Sequence, residues 1–319
     1  MNWTKDALFS KAKLFIEKAA AEDKDSSYYG IFSALALELL ARAALANIHP
    51  TLLADADANQ KNVLYALDRL DSSASPKSIM TKQVIALCGS LIPDFNSDLQ
   101  KLALSMTERR NEELHSGGAA FQEYNQDLWI GSFYKACQVL TASMGESLAS
   151  FLGKGRAEEA ETLISENDTR VKKEVLDKIS ARKKIYEEDI AANKERLDKL
   201  IVRSKSDFDL KVHHGYHEVG CPCCGNAATI YGKESPGSHN EIHDDVVIVK
   251  KDVIPNSFSC NVCGLKLSSY AELQAANLPL HYTNTYTCDP IEYFGIDVDE
   301  IVSSGYLEEY SNEYRVIKK

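Results

Sequence analysis

Apolar positions in the first 153 residues recur at helical spacing, as in Leu8, Phe9, Phe15 and Ala19, and again in Val63, Leu67 and Leu70. Between these stretches, Ile31–Ile48 is apolar almost throughout and is interrupted by Glu38 and Arg42. Asp25-Ser26-Ser27 offers an N-cap and His49-Pro50 a stop, which predicts a buried helix over about 28–48. The two charges argue against a membrane span, and no transmembrane segment is expected. Pro76 suits the start of a helix at about 77–91. Another helix is predicted at about 96–115, ending at Ser116-Gly117-Gly118. A last one, at about 126–152, carries Leu128, Phe133, Cys137, Leu140, Met144 and Leu148 along one side. No period-two pattern competes, so residues 1–153 read as an all-α bundle.

The character changes after residue 153. Residues 154–210 are dense in mixed charge with a sparse apolar stripe, Val175, Ile179, Tyr186, Ile190, Leu197 and Ile201, spaced four or seven apart. That stripe fits a solvated connector helix or a short coiled coil that supports dimerisation. From 211 the pattern turns to short β-type segments at Ala228–Tyr231, Val246–Val249 and Ser257–Ser259, followed by a short helix at Ser268–Ala276. The fold expected is therefore mainly α, with a helical bundle (1–153), a charged connector helix (154–210), a small β-rich unit (211–268) and an acidic, Tyr-rich C-terminal extension (269–319).

Charge narrows the function classes. The chain carries a formal net charge of −11. Residues 1–153 contribute −4, residues 154–207 contribute +1 and residues 208–319 contribute −8. None of these segments has the basic excess of a protein that binds nucleic acid chiefly through phosphates, so a nucleic-acid substrate must be held at a small local site. The N-terminal residues carry charges every few positions and lack an uninterrupted apolar core, so no secretory signal is expected and the predicted location is the cytoplasm.

In a chain expected in the cytoplasm, 8 cysteines point to metal or packing rather than to a disulfide framework. Cys221-Pro222-Cys223-Cys224-Gly225 and Cys260-Asn261-Val262-Cys263-Gly264 form two C-x-x-C-G units separated by 35 residues. A two-residue spacer lets both thiolates face one ion, and the glycine permits the tight turn that follows. The pair resembles a zinc ribbon, with Cys221, Cys224, Cys260 and Cys263 holding one structural Zn²⁺ per chain and leaving no open position for catalysis. Cys223 is a conceivable alternative ligand, but Gly225 fits best after Cys224. His213, His214 and His217, with the His239-x3-His243 pair, offer a second metal site or ordinary loop histidines. Cys88 and Cys137 fall on apolar helix faces and read as packing; Cys288 carries no signal.

The other chemical feature is Arg109-Arg110-Asn111-Glu112-Glu113-Leu114-His115, closing the 96–115 helix. Asn111 and His115 are four apart and share a helix face. Arg110 lies about 140° around the helix from His115, so it must curl toward the same space or act across a dimer. At the helix C-terminus the dipole favours a positive charge on His115, which suits a proton-transfer group. Arg110-x4-His115, with a polar Asn111 after the arginine and late in an α-helical bundle, resembles the signature of HEPN domains. Residues 1–153 thus resemble a HEPN domain. The resemblance implies a bundle of four to five helices that dimerises with both signature helices at the two-fold axis. It also implies metal-independent endoribonuclease chemistry, with Arg110 and His115 as the catalytic pair and Asn111 orienting the site. Against this stands a plain ion pair of Arg110 with Glu112 or Glu113 on an exposed face. Glu38 and Arg42, at i and i+4, read as a satisfied pair; alternatively, Glu38 positions Arg110.

The leading reading is a HEPN-type ribonuclease that cleaves single-stranded RNA as a homodimer. Proteins of this architecture resemble prokaryotic toxins and antiviral-defence effectors, restrained by a regulatory protein or antitoxin. The alternative is a non-catalytic HEPN scaffold whose zinc-ribbon adaptor binds protein or nucleic acid. A ribbon-based transcription regulator is disfavoured by the −8 charge of residues 208–319.

Overall fold

A computed structural model describes residues 2–56, 60–70, 76–192, 194–209, 215–234, 239–243, 246–297 and 300–301. His213, His214 and the acidic segment after 301 lie outside the described residues. The chain opens with α1 (Lys5–Ala20) and α2 (Ser27–Ile48), each started by a side-chain cap: Thr4 accepts the Ala7 N–H and Ser26 the Tyr28 N–H. A short α3 (Lys61–Ala66) leads to α4 (Thr81–Leu91) and α5 (Ser97–His115). By length and composition α2 would pass for a membrane span. It is instead the centre of the bundle, packed against α1, α4 and α5 with Leu37, Leu40 and Leu45 fully buried.

Two boundaries differ from the sequence pattern. Pro76 does not start α4. Residues 77–80 are extended, with Ser78 bridging Ala54 and the Ile79 N–H donating to the Leu53 carbonyl, so the helix begins at Thr81. The apolar run at 126–152 is broken into α6 (Ile130–Ser143) and α7 (Leu148–Leu152). Gly145, at φ +73°, turns the chain between them, and Ser147 caps the second piece.

The charged segment forms two helices, α8 (Lys154–Ala192) and α9 (Lys194–Asp209). At 39 residues α8 is about 58 Å long. Its first turns belong to the bundle core through Ala157, Ala160 and Ile164, while Val171, Val175, Ile179 and Tyr186 belong to a second core farther along. Of the stripe expected to face solvent or a second copy, Val175, Ile179, Tyr186 and Ile201 pack into the core of the chain's own β-rich unit, whereas Ile190 is exposed. Arg182 reaches across and donates to the Gly264 carbonyl at 3.2 Å.

That unit is a six-stranded antiparallel sheet among the described residues: β1 (Tyr216–Gly220), β2 (Ala227–Glu234), β3 (His239–His243), β4 (Val246–Ser259), β5 (Lys266–Leu267) and β6 (Tyr282–Cys288). The 14-residue β4 joins the two segments read separately from the sequence and pairs with every strand except β1. Helix α10 (Tyr270–Ala275) and strand β6 lie beyond residue 268, so the unit includes part of what reads as the C-terminal extension; α11 (Pro290–Tyr293) follows. The unit also meets the bundle directly, where the Ala271 N–H donates to Asp98 at 2.9 Å in the first turn of α5.

Gly30 in α2 tests the packing. A helix-interior Gly→Ala change ordinarily gains about 1 kcal/mol. Here an added Cβ would sit 2.3 Å from the Phe121 ring, and overpacking of that kind costs about 1–3 kcal/mol. Gly30→Ala should therefore fail to raise the thermal midpoint and instead lower it, with calorimetry of the full chain as the check.

Candidate active site and metal centre

Helix α2 carries Glu38 into an apolar surround, and a carboxylate there needs cationic or hydrogen-bonding partners. It has four contacts from three side chains. Arg42 Nε and Nη2 donate to Oε1 at 3.1 and 3.0 Å, Thr81 Oγ1 donates to Oε1 at 2.8 Å, and Arg110 Nη1 donates to Oε2 at 3.1 Å. Arg42 also donates to Ser78 Oγ and to the Ile79 carbonyl, which explains the extended stretch before α4. The side chains of Glu38 and Arg110 are 15% and 14% exposed. Burial alone would push the Glu38 carboxyl up, but the Thr81 hydroxyl and the two guanidiniums outweigh it and hold the carboxyl below its ordinary range. Two guanidiniums share one carboxylate, so the trio keeps one uncompensated positive charge.

Arg110 is thus brought to Glu38, and neither Glu112 nor Glu113 is its partner: Glu113 accepts the Phe121 N–H at 3.1 Å. Asn111 and His115 are exposed on the last two turns of α5 and have no hydrogen bond or ion pair among the described residues. The structure therefore places Arg110 and His115 on one helix end without bringing them into contact. Sequence reasoning missed Thr81, for which no local signal exists. It also missed Arg109, whose guanidinium lies 3.8 Å from the Tyr124 ring centroid while Nη1 donates to the Ala120 carbonyl.

The second centre joins two knuckles. Each has the same turn: the Gly225 N–H donates to the Cys221 carbonyl and the Gly264 N–H to the Cys260 carbonyl, both at 2.9 Å, with glycine φ values of +72° and +75°. Cys221 Sγ lies 3.6 Å from Cys263 Sγ, Cys224 Sγ lies 3.6 Å from Cys260 Sγ, and all four sulfurs fall within 4.8 Å of one another. A tetrahedral ion with bonds of about 2.3 Å sets its sulfurs about 3.8 Å apart, so the group fits a closed four-thiolate site. Without a cation these groups cannot all ionise together. Hydrogen bonds from the Cys221 thiol draw Cys224 down, and its neighbours push Cys263 up. Cys223 is buried beside the cluster but outside it, and its backbone N–H donates to Cys221 Sγ at 3.4 Å, a bond that supports the thiolate.

The remaining candidates separate. His217 stacks on Tyr282 at 4.8 Å, and the four cysteines are the only cluster of three or more metal-ligating groups among the described residues. Cys88 and Cys137 are fully buried in the bundle; burial pushes the Cys88 thiol up to about 12. Comparisons of the chain with protein-family models, with curated proteins and with solved structures find no match.

Two outcomes follow. Glu38→Gln should strand two half-buried guanidiniums and cost about 3–5 kcal/mol, read by denaturant titration. In the wild type, the Glu38 contribution is fully present above the unfolded carboxyl value of about 4.3 and lost as pH falls through the depressed folded value. Stability should therefore drop steeply below about pH 4, with that component absent from the glutamine variant. For the metal centre, elemental analysis should find about one thiolate-bound ion per chain. Cys260→Ser/Cys263→Ser should lose it and expose residues after 215 to protease while the helical half still melts cooperatively. Full metal retention in the double variant would refute the assignment.

Proposed function

We propose that the bundle is an endoribonuclease of HEPN type and that the four cysteines hold a structural Zn²⁺. The observation that carries the first reading is the Glu38–Arg110 pair. It fixes a guanidinium beside α2 with surplus positive charge, on the helix whose exposed end carries Asn111 and His115. RNA cleavage by 2′-hydroxyl attack needs a base for that hydroxyl, an acid for the leaving 5′-oxygen and a cation for the crowded phosphorane. Arg110 supplies the cation, and its geometry is set before substrate arrives. One His115 provides one proton-transfer group. Two α5 ends facing each other across a two-fold axis provide two, with Asn111 orienting the phosphate, so the working unit is a homodimer. DNA lacks the 2′-hydroxyl and is inert to this route. An activity of this kind in a cell cuts its own RNA, consistent with a toxin or antiviral-defence effector held in check by a partner protein or antitoxin. Four thiolates, with no water position, are the soft tetrahedral donor set that zinc prefers, and its role is to close the ribbon.

A second reading, a non-catalytic HEPN scaffold with the ribbon as adaptor, is favoured by one observation: Arg110 already has a carboxylate partner, and His115 stands apart from it.

Cleavage of single-stranded RNA decides between them. The wild type should cut it in the presence of EDTA over a short assay and leave 2′,3′-cyclic phosphate ends. His115→Ala should slow cutting by about 10²–10⁴-fold, and Arg110→Ala by about 10²–10³-fold, with circular dichroism unchanged in both. RNA left intact by the wild type refutes the ribonuclease reading and favours the scaffold. Equal cutting by both variants refutes the assigned residues.

A further inference from the structure

Beyond His115 the chain does not leave the catalytic end of the bundle. The Phe121 N–H is held by Glu113, the Ala120 carbonyl by Arg109, and the Phe121 ring fills the space left by Gly30 at the start of α2. Behind this loop lies a cavity of about 470 Å³, within the range of small-ligand sites. Its walls include Tyr124 and Trp129, whose rings lie 20° from parallel with centroids 6.5 Å apart. The Arg109 guanidinium, outside the cavity lining, lies over the Tyr124 ring and holds it in place. Trp129 is buried, and its indole Nε1–H has no hydrogen-bond partner among the described residues. Gln122, Asn125, Glu123 and Asp127 are exposed around the same cavity with Asp25 and Lys24, and the lysine is paired with Glu159 at 2.8 Å.

A partly exposed tyrosine ring with polar groups around it matches the way single-stranded RNA is read, by stacking a splayed base and hydrogen-bonding its edge. The carboxylates repel phosphate, so the nucleic-acid backbone must run outside the cavity, toward the surplus positive charge of Arg42 and Arg110. They also select among bases. A carboxylate accepts two parallel hydrogen bonds, and an edge with adjacent N–H and NH₂ donors supplies them, as guanine does.

We infer that this cavity receives one unpaired nucleobase of single-stranded RNA beside the scissile phosphate and that it prefers guanine. The choice of RNA rests on the ribonuclease reading. The cavity and its lining stand independently of it.

The test is fluorescence anisotropy of labelled heptauridine and of the same oligomer with one central guanosine or adenosine. It uses full-length His115→Ala, in which cutting is slowed, with RNA cleavage by the wild type measured in parallel. The guanosine oligomer should bind at least about tenfold tighter than heptauridine, a factor of the size a single stacked and hydrogen-bonded base provides. Tyr124→Ala should weaken it about 5- to 100-fold, and Tyr124→Phe should restore it. Glu123→Gln/Asp127→Asn changes only exposed side chains and should abolish the difference in affinity between the guanosine oligomer and heptauridine, so it carries the test if Tyr124→Ala does not fold. Equal affinity for all three oligomers, or no binding of any, overturns the inference. Wild-type cutting without base preference overturns the inference and leaves the ribonuclease reading standing. Preference without cutting supports the base site and refutes the Arg110/His115 chemistry.

Discussion

A single carboxylate on the most apolar helix governs the arrangement of the bundle. Helix α2 is enclosed by α1, α4 and α5, so Glu38 sits where an unpaired charge would cost several kcal/mol even after relaxation. Its partners come from three places along the chain: Arg42 one turn away, Thr81 at the start of α4, and Arg110 near the end of α5. Satisfying one buried charge therefore fixes the register of α5 against α2, and through Arg42 it also fixes the extended stretch before α4. The same requirement brings two guanidiniums to one carboxylate, leaving positive charge at the end of the bundle where Asn111 and His115 are exposed.

The β-rich unit solves a different problem. A sheet of this size with short connections has little apolar surface to bury alone, and small units of this kind need a staple. Here it has two. Four thiolates within 4.8 Å suit a metal ion that ties the two knuckles together. The stripe Val171, Val175, Ile179 and Tyr186 supplies the missing wall of the core. Because α8 belongs to the bundle core at its start and to the sheet's core farther along, one continuous helix carries the position of one unit to the other. The Ala271–Asp98 bond closes the connection at the first turn of α5. Metal closure, sheet docking and the proposed catalytic helix thus share contacts, although the two centres have separate chemistry.

An acidic chain and an RNA substrate are compatible only if binding is local. Positive charge is concentrated at the Glu38 trio, while the neighbouring cavity is aromatic and rimmed with acids. On the proposed reading, such a surface would hold a phosphate at one point and a base at another and give little purchase to duplex DNA along its length.

Much of this was legible in the chain itself. The 3.6-residue periodicity set the helices of the bundle, the Gly-terminated C-x-x-C spacing marked which four cysteines converge, and Ser116-Gly117-Gly118 marked the end of α5. Local rules sufficed because turns, caps and chelate spacing are decided by neighbours within a few residues. They failed where a distant group intervened. Pro76 suited a helix start, but Arg42 held residues 77–80 extended; the stripe on α8 suited solvent or a second copy, but the β-rich unit covered Val175, Ile179 and Tyr186. Nothing near Arg110 in sequence pointed to Glu38 in preference to Glu112 or Glu113, and nothing near Thr81 marked it at all. The sequence by itself determined which side chains carry charge and which atoms can bind metal. Only tertiary structure decided which charges meet, because the cost of burying Glu38 is settled by whichever cations the folded backbone brings within hydrogen-bond reach, and those lie up to 72 residues away.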